Sequence, residues 1–301
     1  MWRKWRKIDR EKVIAVVSLE GPIVMGESQN PPVELPIPLV GGKNAGDVTL
    51  VRHIRMAEQM PNLGALVFYV NSPGGSALSS DLIAREIERV SKKVPVIAYM
   101  GDVAASGGYY VSAPATHIMS QSATITGSIG VVAALPIVTE LLGKLKINYH
   151  EFKRGKMAGL IGSPNMTDEA REKIMEGIMD VYKTFKWLVS THRDIPYDTL
   201  DEICLGRVWT GRQAQGHQLV DSHGNFLDAL AKARELADLP DDPEIMVPVV
   251  NVYDNKKAYE FAPPFPDPAK AINSMFNLPD QLRKRFSGTQ YLMPFDFKLD
   301  L

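Results

Sequence analysis

The sequence lacks a long apolar run, an excess of charge of either sign and a second cysteine. No stretch approaches the roughly 18 consecutive apolar residues that a membrane-spanning helix needs. With 34 basic and 35 acidic residues the net charge is −1, so no overall field attracts nucleic acid. Cys204 is the single cysteine, which excludes an intramolecular disulfide. We therefore expect no helical membrane span, no disulfide-stapled domain and no nucleic-acid partner.

Residues 1–11 form a basic N-terminal segment that begins MWRKWRK. Its two tryptophans among four basic residues suit a lipid headgroup layer. A solvated, frayed terminus is the simpler interpretation. The segment is not a secretory signal, because no apolar region precedes a small-residue cleavage site. We expect a membrane-associated or cytoplasmic protein without a transmembrane helix in this chain.

Residues 12–239 alternate short β-branched runs with amphipathic segments, the pattern of parallel βαβ units in an α/β domain. In the predicted helix Ser79–Lys92, Ile83, Ile87 and Val90 share one face. The predicted strands are Val13–Ser18, Ala65–Val70, Val94–Met100, His117–Ser120, Gly130–Ala133 and Ile147–Phe152. The sequence thus predicts one α/β domain over this range.

Three further segments complete the predicted organisation. Gln29–Lys43 holds four prolines and two glycines, so it is a loop. Thr167 opens a long helix, in which Ala170, Ile174, Ile178 and Val181 form an apolar stripe typical of plain core packing. Residues 240–301 form a proline-rich extension with little periodicity, which either wraps a neighbouring subunit or is disordered.

The first glycine-rich loop is VNSPGGS, Val70–Ser76, directly after a predicted strand. Pro73 favours a turn, and Gly74 with Gly75 lets backbone N–H groups face outward. Such a surface suits an anion, either a phosphate or the oxyanion of acyl transfer. A Walker loop is excluded because the GKS/T ending is absent. Alone, a PGG sequence is more typical of a turn than of a site.

The second loop is GDVAASGGYY, Gly101–Tyr110, which follows the next predicted strand. Ser106 lies at its helix start, where a serine has an exposed Oγ and a helix dipole that favours its alkoxide. Gly107 and Gly108 would let a substrate backbone approach closely. The alternative is that Ser106 merely caps the helix. Because two such loops occur 31 residues apart, from Gly75 to Ser106, a nucleophile with oxyanion donors is favoured.

The third motif, TITGSIG, places Thr126 and Ser128 in a tight turn before a predicted strand. Their hydroxyls could orient a base or relay a proton. They could equally satisfy the hydrogen bonds of their own turn.

Together these motifs resemble the signal peptide peptidase A family, membrane-associated Ser–Lys proteases of the Clp/crotonase superfamily. The resemblance runs from about Val13 to Leu236 and includes GRVWTGRQAQGHQLVDSHGNF, Gly206–Phe226. It implies a Clp/crotonase-like fold of repeated ββα units with a long helical arm, no cofactor, and a homo-oligomer that acts on peptides such as signal peptides. It also implies Ser106 as nucleophile, Gly75 at the oxyanion hole, and Ser128 as the hydroxyl that hydrogen-bonds the catalytic lysine. In the reaction that we expect, amides near Gly75 and Gly107 hold the oxyanion.

The expected base is a lysine. None of the six histidines lies between His117 and His150, where a Clp-type protease of this fold would place one. A lysine must be neutral to accept a proton, and its ordinary pKa lies far above neutrality, so burial has to lower that pKa.

The sequence departs from the family at this lysine. Single-domain members carry it three residues after a glycine, a position that Ala158 occupies here, whereas Lys156 lies two residues earlier, roughly 6–7 Å along an extended chain. Lys156 or Lys153 could serve through a local shift. Alternatively the lysine comes from another polypeptide or a missing half, as in tandem members, or Ala158 marks an inactive homologue or an engineered knockout.

These observations lead to three hypotheses. The first is a serine endopeptidase that cleaves residual signal peptides or other membrane-released peptides. The second is a catalytically incomplete scaffold or regulatory homologue that needs a lysine-bearing partner. The third, an acyl-CoA enzyme of the crotonase superfamily, is disfavoured because Ser106 has no role in that chemistry.

Overall fold

The computed structural model describes residues 12–29, 42–134, 139–147, 152, 154–155, 167–240, 247–253 and 290–291. The strands there are β1 (Val13–Glu20), β2 (Ile23–Val24), β3 (Ala45–Gly46), β4 (Leu63–Ser72), β5 (Gly75–Ser76), β6 (Val96–Ala105), β7 (His117–Ser120), β8 (Ile125–Gly127), β9 (Val208–Thr210), β10 (Ser222–His223), β11 (Val249–Asn251) and β12 (Gln290–Tyr291). The helices are α1 (Asp47–Glu58), α2 (Ala77–Ser91), α3 (Gly107–Ser112), α4 (Thr139–Lys144), α5 (Asp168–Arg193), α6 (Gly211–Gly216) and α7 (Phe226–Leu236), with a 3-10 helix over Tyr197–Glu202. The fold class is α/β, as predicted.

A largely parallel sheet runs through the centre of the fold in the order β10-β7-β6-β4-β1-β11. Its central strands are buried on both faces, because helices α1, α2 and α3 supply one apolar layer and α7 supplies the other. β6 pairs with β7 through residues 97–99 and with β8 through residues 103–105. The carboxyl end of β6 therefore lies between β4 and β8.

A second, smaller sheet in the order β12-β5-β2-β3 lies beyond the carboxyl ends of β1 and β4. β1 is followed by β2, β3 and then α1, and β4 is followed by β5 and then α2. Each unit thus consists of a long strand in the main sheet, a short segment in the small sheet, and a helix. This repetition is the ββα pattern that the family resemblance implies.

Most predicted strands occur, and several are longer than predicted. β1, β4 and β6 continue past the predicted ends, so that β6 extends from Val96 to Ala105. The predicted strand Gly130–Ala133 is wrong, since only Val132 there makes an isolated bridge. The strand that pairs with β6 is instead Ile125–Gly127, and the chain turns away at Ser128, whose φ is 49°.

Of the predicted strand Ile147–Phe152, only its first and last residues are described, and neither lies in a strand. The predicted loop Gln29–Lys43 is described only at its ends, since residues 30–41 lie outside the described ranges. Those ends meet, because the Asn44 amide donates to the Gln29 carbonyl at 3.0 Å.

The predicted helices both occur. The helix predicted over Ser79–Lys92 is α2, with Ile83, Ile87 and Val90 fully buried. Thr167 caps α5, and its hydroxyl accepts a hydrogen bond from the Ala170 amide at 3.2 Å.

The expected core stripe of α5 lies further along the helix than predicted. Ala170 is buried, but Ile174, Ile178 and Val181 are only half-buried. The fully packed residues belong to the carboxyl-terminal half: Tyr182, Phe185, Lys186, Leu188 and Val189. The first half of α5 extends from the domain with Met175 and Met179 exposed, and forms the long helical arm.

The predicted extension after residue 239 contributes two strands to the described structure. β11 adds a parallel strand beside β1, with Ile14 opposite Val249, and Val252 is buried in the core. β12 runs antiparallel to β5. The basic segment 1–11 lies outside the described residues, and the boundaries at residues 11 and 239 stay predictions.

Candidate active site

Ser106 lies at the junction of β6 and α3, at the carboxyl edge of the main sheet. Its φ of 53° and ψ of −117° fall in a region that residues with a side chain rarely adopt. Its amide donates to the Gly127 carbonyl at 2.9 Å, and its carbonyl accepts from the Tyr110 amide at 2.9 Å. The backbone on both sides of this residue is therefore fixed in a strained conformation.

The hydroxyl of Ser106 does not cap the helix. It makes no hydrogen bond to an α3 amide, and it has no partner among the described residues. The simple capping interpretation is thus contradicted. An unpartnered buried hydroxyl costs about 1–3 kcal/mol, and a strained backbone of this kind costs a similar amount.

The expectation that the Ser106 hydroxyl is exposed is wrong, because the residue is 0% accessible. The glycine-rich turn after β4 packs directly against the next residue, Gly107. A Cβ built on Gly107 would lie 3.2 Å from the Gly75 amide nitrogen and 3.2 Å from the Gly74 Cα. Only glycine at residue 107 permits this close approach of the two loops.

The structure thereby brings the two predicted loops into contact. Gly75, with φ of 151°, packs close to Gly107. Gly108 packs as closely on β4, since its Cβ would lie 2.6 Å from the Ser72 carbonyl oxygen. Two glycine-containing segments thus pack together at the residue that follows Ser106, and backbone amides there would suit an oxyanion.

Ser128 follows the strand that flanks Ser106. Ala105 is opposite Gly127 in the β6–β8 register, so the next residues, Ser106 and Ser128, leave adjacent strands that lie roughly 5 Å apart. Like Ser106, Ser128 has a positive φ of 49°, is 0% accessible, and carries a hydroxyl without a partner among the described residues. Thr126, the other hydroxyl of this motif, donates instead to the Ala104 carbonyl at 2.7 Å.

Sequence reasoning missed the segment that holds Ser128 in place. The Ser128 amide donates to the Arg207 carbonyl at 2.7 Å, and the Gly206 amide donates to the Ile129 carbonyl at 3.0 Å. β9 pairs antiparallel with β8, with Thr126 opposite Trp209. The signal was present in the motif Gly206–Phe226, but only the tertiary pairing shows that its task is to support the Ser128 turn.

Sequence reasoning also missed two serines, Ser72 in the PGG loop and Ser80 in α2. The Ser72 hydroxyl accepts a hydrogen bond from the Gly74 amide at 3.1 Å. The Ser80 hydroxyl donates to the Ser76 carbonyl at 2.9 Å and lies 2.6 Å from where a Gly107 Cβ would be. The serine-rich run SALSSD, residues 76–81, was the available signal.

The predicted base lies beyond the described residues. Lys153, Lys156 and Ala158 all fall there, so Lys156 stays a prediction. Another lysine, Lys186, is only 5% accessible, but its ammonium pairs with Asp201 at 2.9 Å and lies 4.3 Å from the Tyr197 ring centroid. The hydrogen bonds from Lys186 and Tyr182 lower the pKa of Asp201. A lysine held by a carboxylate in this way is unsuited to act as a base.

Two other potential catalytic groups are excluded by position or chemistry. His117 is opposite Ile97 at the start of β6, nine positions before Ser106, which corresponds to roughly 30 Å of strand. Burial raises the pKa of the Cys204 thiol to about 12, so this cysteine is protonated at neutral pH. Neither side chain can replace a lysine beside Ser106 or serve as the nucleophile.

The outer edge of β5 is paired with the chain's own carboxyl-terminal segment. Tyr291 is opposite Gly75 and Gln290 is opposite Ser76, in antiparallel register. The edge of β5 that carries Gly75 is therefore paired with an extended segment of the same chain.

Among the described residues, no helix is both long and apolar enough to cross a membrane.

The sequence is similar to those of known proteases. Residues 88–240 match the model of a family described as Peptidase family S49. Serine protease SPPA, chloroplastic, of Arabidopsis thaliana is 38% identical over 193 residues, which cover 64% of this chain and 28% of that protein. Protease 4 of Salmonella typhi is 36% identical over 233 residues, 77% of this chain and 36% of that protein. The chain thus spans about a third of the length of these two relatives.

Two further similarities complete the comparison. Putative signal peptide peptidase SppA of Enterococcus faecium is 34% identical over 174 residues, covering 56% of this chain and 51% of that protein. A solved structure of a mutant of the 1510-N membrane-bound stomatin-specific protease covers 81% of this chain and 99% of its own, at 17% identity and a TM-score of 0.46. Because the family match covers just over half of the sequence and includes Ser106 and Ser128, the chain belongs to peptidase family S49.

Proposed function

We propose that this protein is a serine endopeptidase of the signal peptide peptidase type, which cleaves residual signal peptides or other membrane-released peptides. One observation carries the proposal: the Ser106 hydroxyl is buried, has no partner among the described residues, and stands on a strained backbone next to Gly107, against which the Gly75 turn packs. Membership of a peptidase family and the printed names of the relatives support it. A purely structural serine would satisfy its hydroxyl and relax its backbone.

The proposed reaction begins when the Ser106 Oγ attacks a peptide carbonyl carbon and a neutral lysine takes the hydroxyl proton. The carbonyl oxygen becomes an oxyanion that accepts hydrogen bonds from amides near Gly75 and Gly107. As the C–N bond breaks, the lysine returns its proton to the leaving amine. Water then hydrolyses the acyl-enzyme, with the same lysine as base, and restores Ser106.

The enclosure of the site favours a lysine base. Removing water from around an ammonium group lowers its pKa, and a neutral amine can then accept the Ser106 proton. In this proposal the Ser128 hydroxyl accepts a hydrogen bond from the lysine and directs it at Ser106, which would give Ser128 the partner it lacks among the described residues. Lys156 is the candidate within this chain, with Lys153 as the nearby alternative.

Substrate is proposed to bind as an added strand on β5. The antiparallel pairing of Gln290–Tyr291 with this strand supports such a mode, since main-chain hydrogen bonds would position a peptide carbonyl beside Gly75. The protein is further proposed to act as a homo-oligomer, in which a neighbouring subunit or a lysine-bearing half encloses the site.

A fluorophosphonate probe tests the nucleophile directly. We expect the intact protein to be labelled at Ser106, identified by peptide mass analysis, and the Ser106→Ala variant to remain unlabelled. Because a neutral lysine is needed, labelling should fall as the pH drops below the lysine pKa. Lys156→Ala should abolish labelling, whereas Lys153→Ala should keep both the labelling and its pH dependence. Labelling of another residue, or none where an active relative reacts, would contradict the proposal.

A second candidate function is a catalytically incomplete homologue that supplies Ser106 to a lysine-bearing partner. The observation in its favour is Ala158 at the position where the family places the lysine. In that case the protein alone would be inert, and peptidase activity would appear only after mixing with the partner. Gel filtration with activity measured across the fractions separates the two candidates.

A further inference from the structure

Ser80 is a buried serine of the first turn of α2 that the proposed mechanism leaves without a role. It is 0% accessible, and its hydroxyl donates to the Ser76 carbonyl at 2.9 Å. A serine bonded to the carbonyl four residues earlier contributes little to a helix and often weakens it slightly. The helix therefore gives no reason for a serine at this buried position.

The position of the Ser80 oxygen supplies a reason. It lies on the side of Gly107 where a Cβ would project, 2.6 Å from that point. The Gly75 amide nitrogen and the Gly74 Cα lie 3.2 Å from the same point. One hydroxyl oxygen thus fills the space where the glycine turn after β4 and the first residue of α3 come together.

We propose that Ser80 is a positioning residue, which sets the separation of the Gly75 and Gly107 amides that hold the oxyanion. This inference rests on the proposed function and goes beyond it, because Ser80 touches neither substrate nor nucleophile. Its bond to Ser76 anchors the residue that follows Gly75, and its oxygen packs against Gly107. Ser80→Ala would remove the hydrogen bond to the Ser76 carbonyl and leave a gap where the hydroxyl oxygen packs against Gly107.

The expected consequence is specific to the transition state. An amide displaced by a few tenths of an ångström binds a neutral peptide carbonyl nearly as well, but it stabilises a concentrated oxyanion less. Ser80→Ala should therefore lower kcat by about tenfold and leave KM within about twofold. A peptide aldehyde, which forms an oxyanion-bearing adduct with Ser106, should bind about tenfold more weakly.

A double variant separates positioning from simple support of the helix. Gly107→Ala directs its new methyl group at the Ser80 oxygen, so removal of that oxygen should relieve part of the clash. We expect Ser80→Ala to restore part of the fluorophosphonate labelling lost in Gly107→Ala. A purely structural role predicts that the two losses add.

Ser91→Ala is the matched control, because Ser91 lies at the far end of the same helix and its hydroxyl likewise donates to a helix carbonyl, that of Glu88. It should leave kcat and aldehyde affinity unchanged. If Ser80→Ala keeps wild-type kcat and aldehyde affinity while Ser106 is still labelled, the positioning role is wrong and the proposed function stands. If the wild-type protein is neither labelled nor active, both proposals fall together.

Discussion

Two strand-to-helix junctions of this protein carry a serine at the same position, and the two serines behave differently. Ser76 precedes α2 with a φ of −57°, and its hydroxyl accepts a hydrogen bond from the Ser79 amide at 3.3 Å. Ser106 precedes α3 with a φ of 53°, and its hydroxyl makes no such bond. Both residues are buried. Ser76 caps its helix. Ser106 instead lowers the stability of the fold and keeps a hydroxyl that has no hydrogen-bond partner among the described residues.

The comparison shows how to recognise a functional serine among structural ones. Position before a helix and burial are common to both residues, so neither property is diagnostic. Unfavourable φ and an unpartnered hydroxyl occur together at Ser106 and again at Ser128. Strain of this kind persists only where the surrounding structure enforces it, and it is concentrated at functional sites.

The largest effect is expected from Ser106→Ala. Loss of the nucleophile should lower peptidase activity by at least about 1,000-fold. The free energy of unfolding should stay equal or rise by about 1 kcal/mol, because a buried unpartnered hydroxyl is removed. Activity assays and urea denaturation of the same preparation measure both. A clear loss of stability would make Ser106 structural, like Ser76.

Gly107→Ala should have the next largest effect, about a 100-fold slower labelling of Ser106. The added methyl group would lie 2.6 Å from the Ser80 oxygen and 3.2 Å from the Gly75 nitrogen, so the two loops must separate. The control is Gly177→Ala in α5, where a Cβ meets nothing within 4 Å. That control should label at the wild-type rate and gain up to about 1 kcal/mol of stability. Equal labelling of both variants would contradict contact between the loops.

Removal of residues 289–301 tests whether β12 blocks the edge of β5 at which substrate is proposed to bind. Because β12 pairs with β5 at Gly75 and Ser76, its loss should free that edge for substrate and raise peptide hydrolysis about fivefold, the equivalent of one backbone hydrogen bond of about 1 kcal/mol. Removal of residues 294–301 alone keeps β12 and should change nothing. Unchanged activity in the longer truncation would mean that β12 does not compete with peptide.

The smallest effect is expected from Ser76→Ala, which removes a helix cap. The free energy of unfolding should fall by about 1 kcal/mol, because the Ser79 amide loses its acceptor. The midpoint of urea denaturation reports the change, and Thr167→Ala, which uncaps α5 in the same way, gives the reference value. A higher free energy of unfolding for Ser76→Ala would contradict the capping role of Ser76 and with it the contrast with Ser106.

Much of the fold was predictable from local pattern. Apolar runs indicated β1, β4, β6 and β7, and the spacing of Ile83, Ile87 and Val90 indicated α2. The strand predicted at Gly130–Ala133 is wrong because two neighbouring valines, Val131 and Val132, are typical of a strand. Tertiary contacts decide which segment pairs with β6, and that segment is β8. For the same reason the buried residues of α5 lie beyond the predicted stripe, where the helix meets α3 through Phe185 and Tyr110.

The candidate site, like the fold, was predictable from the sequence only in part. Two glycine loops after successive strands favoured Ser106 as a nucleophile with oxyanion donors near Gly75 and Gly107, because parallel strands bring their carboxyl ends to one edge, and these roles stay predictions. The contributions of Ser80 and Arg207 depend on distances between segments far apart in the chain, so no local pattern predicted them. The enclosure of Ser106 was also unpredictable, since a helix start at a sheet edge is usually exposed.

The sequence by itself determined the α/β class, the two glycine turns and the serine between β6 and α3, because these depend on residue type, spacing and backbone freedom over a few neighbouring positions. Only the tertiary structure decided that the Ser106 hydroxyl is enclosed and unpartnered, that Ser128 leaves the adjacent strand, and that Ser80 lies between the two loops. The physical reason is that burial and strain belong to the packed chain, in which contacts between distant segments hold a residue in a conformation that it would not adopt alone.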